Sequence, residues 1–96
     1  MNREDILKTL KAYRSELTAH YKVRELSLFG SFARDAQSTA SDVDVLVDFA
    51  ADASFFDLVR LALYLEEKLE RPVDVIPQDT LRAEIRDTVM RERVPI

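Results

Sequence analysis

The sequence predicts a small α/β (α+β) domain in which a mixed sheet of three or slightly more strands is backed by helices. Three observations lead there. Residues 23–29, 43–49 and 73–76 are apolar strand-length runs, the clearest alternation being Leu26-Ser27-Leu28-Phe29 and Val43-Asp44-Val45. Over 3–21, 54–70 and 80–92 apolar residues recur instead every three or four positions, the spacing of one helix face. The 96 residues, 47% hydrophobic and 33% charged, suit a single globular domain spanning 1–96.

The first helix follows Asn2, a good N-cap, and places Ile6, Leu10, Tyr13 and Leu17 on one face. Strand 23–29 comes next, then a short helix over 31–34 and a polar loop over 35–41. The second strand covers 43–49. Ser54, with Asp57 three residues on, caps a long helix that is expected to turn Phe55, Leu58, Val59, Ala62, Leu65 and Leu69 inward and to stop before Pro72. Strand 73–76 closes at Pro77, and the last helix, 80–92, carries Leu81, Ile85 and Val89 as its apolar stripe. A helical crossover favours parallel pairing of the second and third strands, while the link 30–42 also permits an antiparallel first pair.

Composition removes several classes of function. Without cysteine there is no disulfide or thiolate metal site, and His20 alone forms no histidine cluster, which leaves hard cations on oxygen ligands. No apolar run approaches the roughly 20 residues that cross a bilayer, and the first residues lack a signal-peptide core, so a cytoplasmic protein is expected. A net charge of −4 disfavours a long nucleic acid as ligand. Arg82, Arg86, Arg91 and Arg93 concentrate near the C-terminus, and most of them are read as solvated helix-face charge that is favourable near a helix C-terminus.

Gly30 is the only glycine and falls where the first strand ends, a place where backbone N–H groups can approach a ligand with no Cβ in the way. Ser31 adds a hydroxyl and N–H for phosphate, and Arg34, one turn on, a cation. Asp42 and Asp44 stand at i and i+2, which puts two carboxylates on one strand face, and Asp74 interrupts the next apolar strand. If the strands are neighbours, three acids meet and could hold two Mg²⁺ ions against a nucleotide triphosphate. The bland alternatives are a turn residue for Asp42, an edge gatekeeper for Asp44 and an Arg82 partner for Asp74; the joint pattern with Gly30-Ser31 outweighs them. Ser41 either orients a carboxylate or closes a turn, and Asp48 is strand-end solvent charge.

Gly30-Ser31-Phe32-Ala33-Arg34 followed by Ser41-Asp42-Val43-Asp44-Val45-Leu46-Val47 resembles the signature of the DNA polymerase beta-like nucleotidyltransferases, in particular the minimal nucleotidyltransferases that serve as antitoxins of HEPN-domain toxins. The resemblance implies ATP and Mg²⁺ as substrate and cofactor, a HEPN-type toxin as protein partner, and transfer of AMP onto a toxin tyrosine. It implies phosphate binding by Gly30 and Ser31, metal binding by Asp42 and Asp44, and a second-metal, base-like role for Asp74. Asp35 departs from the pattern, which often has glycine after the arginine. An idle antitoxin that works by contact alone, and transfer to a small molecule, are the competing functions.

Overall fold

The computed structural model describes residues 1–38 and 40–96; Thr39, within the expected loop, lies outside the described residues. Helices α1 (Arg3–Ala12) and α2 (Arg14–His20) lead into β1 (Val23–Phe29), α3 (Gly30–Ala33) and β2 (Val43–Phe49). Then come α4 (Phe55–Leu69), β3 (Val73–Pro77), a 3₁₀ turn at Gln78–Thr80, α5 (Ala83–Glu92) and β4 (Val94–Pro95). The strand order is β3-β2-β1-β4, with β2 parallel to β3 and β1 antiparallel to both β2 and β4.

Period-two alternation divides the sheet into two faces. Leu26 and Leu28 of β1 stand opposite Val47 and Val45 of β2, while Val43 and Val45 stand beside Val73 and Val75 of β3. These residues form one cluster with Ile6, Leu10 and Leu17 of α1 and α2 and with Leu61, Leu65 and Leu69 of α4. Full burial of each such side chain contributes about 1.5–3 kcal/mol. The second face carries Ser27, Phe29, Asp44, Leu46, Asp48, Asp74 and Ile76, so the acids share the side turned away from this core.

Several expectations are corrected in detail. The first helix breaks at Tyr13, whose N–H is shared between the Thr9 and Leu10 carbonyls; Leu10 and Leu17, on either side of the break, both remain 1% exposed. Phe55 and Val59 face outward, at 74% and 37% exposure, and Leu61 takes the inward place. Ile85 is half-exposed, and Leu81, though buried, precedes α5. The two-residue β4 gave no periodic signal. Arg93, beside it, is not solvated charge: it donates to Glu25 at 3.0 Å and to the buried Ser27 hydroxyl at 2.9 Å.

Candidate active site

Sheet register places the acids. Asp44 stands beside Asp74 of β3 and opposite Phe29 of β1, and Asp42 lies one residue before β2 at an exposed position. The register is anchored by the Val43 N–H, which donates to the Pro72 carbonyl at 3.0 Å. Asp44 has its pKa raised, first by burial, then by Asp74 and Asp42, while the Arg34 guanidinium acts in the opposite direction. A set of mutually repelling carboxylate oxygens is donor chemistry suited to a hard divalent cation. Among the described residues no three His, Cys, Asp or Glu side chains stand close enough to enclose a metal as placed.

Gly30 adopts φ +76°, in the left-handed region that L side chains rarely occupy. A Cβ there would overlap the Asp44 carboxylate and stand 3.1 Å from its Cγ. The sequence suggested a glycine kept bare for a ligand; the structure adds that Asp44 itself packs against it. Ser31 follows at the start of α3, and its carbonyl accepts from the Ala36 N–H at 2.8 Å. Arg34 is exposed and meets Glu92 of α5 at 3.5 Å, a contact that sequence spacing did not reveal. Asp35 has φ +56°, which accounts physically for the glycine often found there in the resembling pattern.

The Ser41 hydroxyl accepts the Ser38 N–H at 2.8 Å, which is the turn-closing arrangement. Asp48 pairs with Arg24 at 3.3 Å at the far end of β2 and is structural charge rather than free solvent charge. Among the described residues Asp74 makes no ion pair with Arg82, so the bland reading of Asp74 has no contact behind it. Sequence reasoning also passed over Arg71, which donates to the Ser41 carbonyl at 3.2 Å and covers the Phe32 ring.

The Gly30 turn thus packs against Asp44, and Asp74 stands beside that acid on a parallel strand. Residues 8–96 match the nucleotidyltransferase domain model, and the chain belongs to that family. It is 40% identical over 91 residues to the protein adenylyltransferase MntA of Thermococcus cleftensis, covering 95% of this chain and 92% of that one. A solved structure of a candidate minimal nucleotidyltransferase superposes with a TM-score of 0.88 at 32% identity, covering 100% of this chain and 97% of the other. A chain from the complex of a tri-AMPylated Shewanella oneidensis HEPN toxin with an MNT antitoxin has a TM-score of 0.65 at 21% identity, with 99% and 71% covered, a likeness of fold.

Proposed function

We propose that this chain is a Mg²⁺-dependent protein adenylyltransferase that moves AMP from ATP onto a tyrosine hydroxyl of a HEPN-type toxin and thereby acts as its antitoxin. The observation that carries the reading is the register of Asp44 with Asp74 beside the Gly30-Ser31 turn, within a nucleotidyltransferase domain. The MntA relative supports protein adenylylation as the reaction. The partner's class and the tyrosine acceptor rest on the sequence resemblance.

In this reading the Gly30 and Ser31 N–H groups, the Ser31 hydroxyl and the Arg34 guanidinium hold the phosphates, and Ser41 shapes the loop that leads to Asp42. Asp42, Asp44 and Asp74 would hold Mg²⁺, which when bound neutralises the triphosphate and favours the deprotonated hydroxyl. The acceptor oxygen bonds to the α-phosphorus as the bond to pyrophosphate breaks, and Asp74 takes the hydroxyl proton. Burial and the neighbouring acids disfavour the Asp44 charge, an environment that a bound cation would relieve.

Mass spectrometry of the co-expressed pair tests this. Each transfer should add about 329 Da to the partner, the mass of an AMP group joined with loss of pyrophosphate. The Asp42→Ala/Asp44→Ala version should leave the partner unmodified and active. A partner fully neutralised by that version without any added mass would replace the enzyme by an idle binder, and AMP found only on small molecules would move the acceptor.

A further inference from the structure

Arg71 lies between the end of α4 and Pro72 and is half-buried. Its guanidinium sits over the Phe32 ring, 5.1 Å from the centroid, and its Nη1 donates to the Ser41 carbonyl at 3.2 Å. Phe32 is fully buried in α3 and adjoins Ser31; Ser41 adjoins Asp42. The next residue, Pro72, accepts the Val43 N–H, and the chain then enters β3 with Asp74. One residue therefore touches both segments that the 34–40 connection separates, and its own backbone leads to the third acid.

We infer that Arg71 is a positioning residue that fixes the Gly30–Ala33 arm against the Ser41–Asp44 arm, so that phosphate donors and carboxylates face one substrate in a single geometry. The inference rests on the proposed transfer for its kinetic consequence, but not for its structural one. A guanidinium suits the task because its flat face stacks on an aromatic ring while its edge still donates to a carbonyl. Lysine offers a compact point charge with no flat face to stack on the ring. Misplacement of reacting groups by about 1 Å can cost about 100-fold in rate, so loss of the clamp is expected in turnover before it is seen in folding.

The experiment compares wild type with Arg71→Lys, Arg71→Met, Phe32→Leu and the Arg71→Met/Phe32→Leu double variant. Thermal midpoint, kcat and KM for Mg·ATP in AMP transfer, and exchange of the Ser41 and Val43 amides are measured for each. Arg71→Lys should keep the wild-type midpoint and nearly its KM, lose about 10- to 100-fold in kcat, and exchange both amides faster. The double variant should lose less than the product of the two single losses, because both remove one contact. Wild-type kcat with wild-type amide protection in Arg71→Lys, or single losses that simply multiply, would overturn the assignment. If the wild-type protein transfers no AMP at all, the proposed function fails, and amide exchange alone still decides: equal protection in Arg71→Met and wild type would refute the clamp.

Discussion

Gly30 and Asp44 constrain each other. The left-handed backbone at Gly30 costs an L residue about 1–2 kcal/mol, and a side chain there would also push the Asp44 carboxylate aside. Asp44 is held in a position unfavourable to its charge, since burial and the two neighbouring acids raise its pKa above the ordinary 3.8. A carboxyl whose folded pKa is raised subtracts stability as pH rises from its unfolded to its folded pKa, and the penalty is complete above the latter. Asp44→Asn should therefore keep or raise Tm at pH 7 in metal-free buffer, with a gain that shrinks as pH falls through the raised pKa, while AMP transfer is lost. Thermal melts from acidic to neutral pH check this; an Asn variant that melts lower at neutral pH would show that the carboxylate stabilises the fold. The sequence marked both residues through their joint pattern, a lone glycine at a strand end followed by an i, i+2 acid pair. It did not show their contact, which depends on a turn bringing α3 back over β2.

The starts of α1 and α4 were legible because their caps are local. Asn2 accepts the Asp5 N–H at 2.9 Å while Asp5 accepts the Asn2 N–H, and Asp57 accepts both the Ser54 N–H at 2.8 Å and the Ser54 hydroxyl at 3.2 Å. The orientation of α4 was less legible, since Phe55, Phe56, Val59 and Leu63 are apolar yet exposed, and hydrophobicity alone does not say which apolar side wins the core. The sheet decides that, by facing Leu61, Leu65 and Leu69. At the α4 start Asp57 has a lowered pKa, chiefly through the Ser54 backbone N–H, with the Lys22 and Arg60 cations assisting. Its contribution is present above the unfolded value of 3.8 and is lost as pH falls through the lower folded pKa. Asp57→Asn should accordingly melt lower than wild type at pH 7, and the two curves should converge in strong acid. Persistence of the full difference at the lowest pH that permits folding would assign the effect to packing rather than to the capping charge.

At the scale of the whole molecule the fold came from local periodicity plus one topological rule, that a helical crossover joins parallel strands, and β2 and β3 obey it. That rule also brought the two strand acids together, because the β2–β3 register sets Asp74 beside Asp44. What stayed out of reach were long-range side-chain contacts with no spacing of their own: Arg34 with Glu92, Arg93 with Glu25 and Ser27, and Arg71 across Phe32. If the acids and the Gly30-Ser31 turn serve one ligand, ATP and Mg²⁺ should bind as a unit, since the cation relieves repulsion among the carboxylates and the phosphates complete its coordination. Binding to the native state alone adds about 2.7 kcal/mol of apparent stability at a ligand concentration 100 times Kd, on the order of 10 °C in Tm for a domain of this size. ATP with Mg²⁺ should thus raise Tm markedly, either one alone should do much less, and EDTA should erase the shift. A shift of equal size from ATP in EDTA would mean that the phosphates are held by Ser31 and Arg34 without a cation on the carboxylates. The Asp44→Asn variant separates the two cases, because it should lose the cation-dependent part of the shift and keep whatever part the phosphate turn supplies by itself.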